Sequence, residues 1–152
     1  MISLNNQFIF VPENINNSSE SSLSIIIRNQ EFLTSKQSEI LIFEDDDLKW
    51  SEMEFIDTQF LGFLNDKPCF IRELTPDSLF SDQAMLAPLR TLLGRMPDAL
   101  FSVCSRSLQL TDWKNNNKFC GVCGSKMKGH ETERAMYCEC NNILIYPKIS
   151  PC

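Results

Sequence analysis

Five of the seven cysteines in this 152-residue chain fall within its final stretch, "KFCGVCGSKMKGHETERAMYCECNNILIYPKISPC". Four of them are spaced Cys120-x2-Cys123-x14-Cys138-x-Cys140. Two close pairs separated by enough residues for a hairpin is the pattern of a structural zinc site, in which four ligands, usually thiolates, surround one ion as a tetrahedron. A C-x-x-C knuckle turns tightly enough to put both sulfurs on one side, and Gly121 and Gly124 supply the permissive backbone for that turn. The second pair is out of step, because Asn141 stands where the next cysteine is due. The expected ligands are therefore Cys120, Cys123, Cys138 and, in a distorted knuckle, Cys140. Alternatives stay open at this point: His130 or Cys152 in place of Cys140, Asn141 or water completing a weak site, or a degenerate site without zinc. A redox role for C-x-x-C fits poorly, since no βαβ pattern surrounds it.

Charge divides the chain at the same place. Residues 1–113 hold 8 basic and 17 acidic side chains, whereas residues 114–152 hold 6 basic and 3 acidic. The acidic bulk argues against broad nucleic-acid binding, which needs a basic face to displace counterions. The opening residues show neither a basic n-region nor a long apolar run, and "SIII" and "ILIF" are too short to span a bilayer. The expectation is a cytoplasmic protein with no membrane segment, whose cysteines serve as thiols and ligands rather than disulfides.

The overall expectation is an α+β fold, with a β-rich N-terminal domain over 1–116 and a zinc ribbon over 117–152. Residues 1–75 read as strands. "LSIIIRNQEFLTS" predicts two strands around Asn29-Gln30, and "DTQFLGFLNDKPCFIREL" predicts a hairpin turning at Asn65-Asp66-Lys67. "EILIFEDDDLKW" reads as a strand entering an acidic loop, Glu44 to Asp47, whose carboxylates face water. "NNSSESS" at 16–22 reads as a polar loop. Residues 76–116 read as two helices, one starting at Pro88 and ending near Gly94, the other capped by Asp98 and ended by "NNN" at 115–117. The second helix presents Leu100, Val103, Cys104, Ser107, Leu108 and Thr111 on one face. Cys104 and Cys69 read as small core residues.

No catalytic signature stands out. His130 is the only histidine, and no nucleophile elbow, phosphate loop or G-x-G-x-x-G accompanies it. It reads as an exposed loop residue.

From about residue 100 the chain resembles the NADH pyrophosphatases (NAD diphosphatases) of the Nudix hydrolase superfamily. The features that carry the likeness are the helix ending near Trp113, Phe119 before the knuckle, "CGVCG", "TERAMYC" and "YPKISPC". The resemblance implies a worn Nudix-like N-terminal domain followed by a zinc ribbon. It further implies that the family's catalytic Nudix domain, with its glutamates and Mg or Mn ions, is absent from this chain. No Nudix box occurs in it; "RELTPDS" at 72–78 is the nearest echo. Also implied are hydrolysis of the NAD(H) pyrophosphate to AMP and nicotinamide mononucleotide, action of bacterial relatives on NAD-capped RNA, and a homodimer whose sites draw on both subunits. Glu133, Tyr146 and Arg90 match substrate-contacting positions, Arg90 only after a one-residue insertion. This chain, inactive alone, would give structural support, dimerisation and part of substrate binding. The alternative is a stand-alone binding module for a nucleotide, RNA or protein partner.

Overall fold

The computed structural model of the chain describes residues 8–10, 22–49 and 51–148. The strands of its larger sheet are β1 (Phe8–Phe10), β2 (Leu23–Arg28), β3 (Glu31–Ser35), β4 (Ile42–Glu44), β5 (Phe55–Leu64), β6 (Lys67–Leu74) and β7 (Ala84–Pro88). Their order is β1-β5-β6-β2-β3-β7, with β4 pairing β2 beside β3. Every pairing is antiparallel except β2 with β6, so the sheet is mixed. Both predicted hairpins form, and for the expected reason. Asn29 and Gln30 sit at φ 48° and 66°, Asn65 and Asp66 at 51° and 64°. Two successive left-handed residues match the twist of the strands they join, and Asn and Asp tolerate that conformation best among non-glycine residues.

Alternation along the strands feeds two cores. On β2, Leu23, Ile25 and Ile27 face one cluster and Ile26 the other. The first core is closed by helix α2 (Asp98–Asn116), which buries Leu100, Val103, Cys104, Ser107, Leu110 and Thr111. Leu110 replaces the expected Leu108, which packs only partly buried at the edge. Pro97 holds the N-cap position and Asp98 is already helical, without a side-chain cap. Cys69 and Cys104 are both fully buried in this core. Burial pushes the Cys69 thiol up to about 12, and burial, then neighbouring Cys69, raises that of Cys104.

Three expectations are corrected. Residues 84–88 form β7 rather than helix, pairing with β3 from Glu31↔Pro88 to Ser35↔Ala84. The helix expected from Pro88 shrinks to a single 3-10 turn, Leu89–Leu92. The acidic stretch is not a loop, because Asp45–Lys49 is a short helix, α1, with its three aspartates in the first turn, where carboxylates favour the helix dipole; Asp46 and Asp47 face water as expected. Asp45 is buried there, accepting from Ser22 Oγ and pairing with Arg72 at 3.5 Å. Apart from Ser22, the polar segment 16–22 lies outside the described residues.

A second sheet follows α2: β8 (Lys128–Gly129), β9 (Met136–Cys138) and β10 (Ile143–Ile145), in the order β10-β9-β8. Its small core is Cys120, Met127, Met136 and Cys138. Trp113, near the end of α2, packs against this core and against the first core of the larger sheet. Among the described residues no helix is long and apolar enough to cross a membrane.

Candidate metal centre

The first knuckle is built by local backbone bonds. Cys120 N–H donates to the Ser125 carbonyl at 2.8 Å, Gly124 N–H donates to the Cys120 carbonyl at 2.9 Å, and Val122 N–H points at Cys120 Sγ at 3.4 Å. Gly124 stands at φ 73°, which a side chain would strain. The strand bridge Phe119↔Lys126 closes the turn. The neighbouring Ser125 hydroxyl and N–H are the main reason the Cys123 thiol is lowered to about 6.

The second half comes from the β9–β10 turn. Cys138 ends β9, and the nearby backbone N–H groups of Asn141 and Cys140 favour its thiolate. The Asn141 bond is the largest single influence and lowers the Cys138 thiol, but burial and the bonds with Cys123 and Cys120 raise it overall. Asn142, at φ 51°, turns the chain into β10.

These turns bring Cys120, Cys123 and Cys138 together, with their sulfurs all within 4.8 Å of one another and Cys123 and Cys138 at 3.5 Å. Zinc bound to thiolates at about 2.3 Å spaces them about 3.8 Å apart, so three vertices of a tetrahedron fit. Cys140 is not in the cluster. Its exposed sulfur lies 3.6 Å from Ser125 Oγ. Asn141 instead directs its amide inward, with Nδ2 3.9 Å from both Cys120 Sγ and Cys138 Sγ. The His130 ring is engaged elsewhere, since Nδ1 accepts the N–H groups of Thr132 and Glu133. Cys152 lies outside the described residues.

Beside the ribbon lies a cleft of about 230 Å³, lined among others by Gln59 of β5, Trp113 and Lys114 of α2, and His130, Glu133 and Arg134 of the β8–β9 loop. Arg134 is buried and donates to the Phe60 carbonyl, at the β5 bulge between Phe60 and Gly62. Burial brings its guanidinium down to about 10. Lys114 pairs with Asp57 at 2.7 Å. Glu133 is exposed at the cleft and accepts the hydroxyl of half-exposed Tyr146. That bond, then burial, raises the tyrosine pKa. Arg90 lies exposed on the 3-10 turn, outside the cleft lining. Sequence reasoning did not single out Arg134; its only signal was a charge amid "AMYC".

Comparison with known proteins places these features. Residues 21–113 match the NADH pyrophosphatase-like rudimentary NUDIX domain, and residues 115–146 match the NADH pyrophosphatase zinc ribbon domain. The NAD-capped RNA hydrolase NudC of Deinococcus radiodurans is 35% identical over 60% of this chain and 32% of its own length. NudC of Stutzerimonas stutzeri is 30% identical over 84% of this chain and 45% of its own length. The chain thus spans less than half of the length of these relatives, 32% and 45%. Strands β2 to β7 and most of α2 fall within the first match and the clustered cysteines within the second, and the chain belongs to the NADH pyrophosphatase-like family, with that family's rudimentary NUDIX domain and zinc ribbon.

Proposed function

We propose that this chain, divided into domains at 1–116 and 117–152, is the non-catalytic part of an NAD(H) diphosphatase. The reaction is hydrolysis of the pyrophosphate of NAD(H), free or as an RNA cap, to AMP and nicotinamide mononucleotide. Its roles are to hold the ribbon rigid, to contribute to a homodimer and to bind one end of the dinucleotide. Zinc held by the ribbon thiolates is structural. The Mg or Mn that polarises the pyrophosphate belongs to a Nudix domain outside these residues, and the protein works in the cytoplasm.

The observation that carries this reading is the hydrogen bond from exposed Tyr146 to Glu133, which lines the cleft. A carboxylate accepts from ribose hydroxyls or a base amine, and an exposed tyrosine ring offers a stacking face. The cleft suits this partial role, because about 230 Å³ is less than the roughly 300–1,000 Å³ of a site enclosing a whole ligand. Arg90 lies away from the cleft lining, so its part, an anion contact, falls to another stretch of the substrate.

The test is a titration of the chain with NAD and, separately, with AMP, followed by NMR. The expected result is saturable shifts at Glu133 and Tyr146, lost in Glu133→Gln and weakened in Tyr146→Leu, with no product formed on adding Mg. Shifts absent at millimolar nucleotide would refute the binding role. Turnover by the chain itself would refute its assignment as non-catalytic.

A further inference from the structure

We infer that the metal in this ribbon is held by three thiolates and the side-chain amide of Asn141, with Cys140 left outside the coordination shell. The inference is independent of the dinucleotide reading. It rests only on the cysteine cluster holding a metal.

Two observations converge on it. Cys120, Cys123 and Cys138 already meet the spacing of three tetrahedral vertices. Around zinc, a fourth ligand oxygen stands about 3.6 Å from each sulfur, given bonds of about 2.3 Å to sulfur and 2.1 Å to oxygen. The Asn141 amide lies 3.9 Å from two of the three. Its oxygen and nitrogen exchange places by a half-turn of the terminal torsion. The position that donates to the sulfurs can therefore present Oδ1 to a cation.

The turn explains why Asn141 and not Cys140 occupies that place. Cys138 ends β9 and Asn142, at φ 51°, turns the chain into β10, so residues 140 and 141 lie on the turn beside the Cys138 sulfur. With the turn so held, position 141 directs its side chain to the sulfurs and position 140 directs its own to Ser125 Oγ. For Cys140 to ligate, its sulfur would have to leave Ser125 Oγ and displace the Asn141 amide from beside the sulfurs.

The chemistry follows from the donor set. Three thiolates and a neutral amide leave a zinc complex with one net negative charge, where four thiolates leave two. A neutral oxygen donor is weaker and harder than a thiolate and exchanges more readily with solvent or an added thiol. The ribbon would then hold an exchangeable metal with one face that accepts a soft exogenous ligand.

The experiment is cobalt titration of the whole chain, reading the sulfur-to-metal charge-transfer band, with zinc affinity from chelator competition. In Cys140→Ser the band and affinity should match wild type. In Asn141→Cys the band should rise by about one third, for a fourth thiolate, and affinity should tighten at least about tenfold. Asn141→Ala should keep the three-sulfur band but bind more weakly. X-ray absorption on the zinc form should count three sulfurs and one oxygen or nitrogen. A weaker band in Cys140→Ser, four sulfurs in wild type, or no effect of Asn141→Cys would each overturn the assignment. Failure of the wild type to bind metal would overturn it too, while leaving the nucleotide titration unaffected.

Discussion

Trp113 is the residue whose removal should be felt on both sides of the molecule. It sits half-buried between the main core and the ribbon core. A fully buried tryptophan covers about 150–250 Å² of apolar surface, worth about 4–6 kcal/mol at about 25 cal/mol per Å². At half burial Trp113→Ala should cost about 2–3 kcal/mol, and divided between two cores each loses about 1–1.5 kcal/mol. On the main domain this lowers the melting temperature by roughly 2–6 °C, followed by circular dichroism. In the ribbon, folding and metal binding are one equilibrium, so the same loss should weaken zinc about tenfold. The indole adds a second comparison. Trp113 Nε1 is buried and finds no acceptor among the described residues, a deficit of about 1–3 kcal/mol. Trp113→Phe gives up some contact area but removes that donor, and should lie within about 1 kcal/mol of wild type. Trp113→Ala that lowers the melting temperature while leaving zinc affinity within twofold would refute the bridging argument. Trp113→Phe as damaging as Trp113→Ala would show that the indole N–H is satisfied.

Four further outcomes are expected. Cys69 and Cys104 are fully buried with raised thiol pKa values, so Ellman's reagent should miss both until urea unfolds the chain. Cys104→Ser should cost about 1–3 kcal/mol by urea titration, through a buried hydroxyl in an apolar site. The Glu73 carboxyl is raised above its ordinary 4.5, by burial first and then by Asp57. Its ionised form therefore opposes folding once pH exceeds the folded-state value, and this cost vanishes below the unfolded value. Glu73→Gln should accordingly melt higher than wild type at pH 7, with the gap closing towards pH 4, and a constant gap would refute the cause. Asp45→Ala strips the partner from Arg72 and from the Ser22 hydroxyl and should cost about 1–3 kcal/mol in the same urea assay.

Features set by neighbours in sequence were legible, and those set by distant partners were not. Asn29-Gln30 and Asn65-Asp66 announce their turns because the left-handed backbone is a local preference of those side chains. The face of α2 was legible because helical period is local, apart from Leu110, whose burial depends on what the helix lies against. By contrast "AMLAP" is too short to alternate visibly. It becomes β7 because β3, some fifty residues earlier, offers an edge. Asp46 and Asp47 are exposed as read, but Asp45 read as solvated because its partner, Arg72, is 27 residues away. Arg134 was missed for the same reason, since the carbonyl it serves belongs to Phe60.

The metal centre lies between these cases. Spacing alone nominated its cysteines, because thiolate ligands recur at turn-determined intervals. Counting cysteines then favours Cys140, whereas counting positions favours 141, the place a C-x-x-C knuckle reserves for its second ligand. The turn after β9 sets the Asn141 amide 3.9 Å from Cys120 Sγ and Cys138 Sγ, and the Cys140 sulfur beside Ser125 Oγ. A knuckle is defined by where its turn points side chains, and a cysteine one position early points with its own position, away from the cluster. Asn141, standing where the next cysteine was due, thus occupies the position whose side chain points at the cluster.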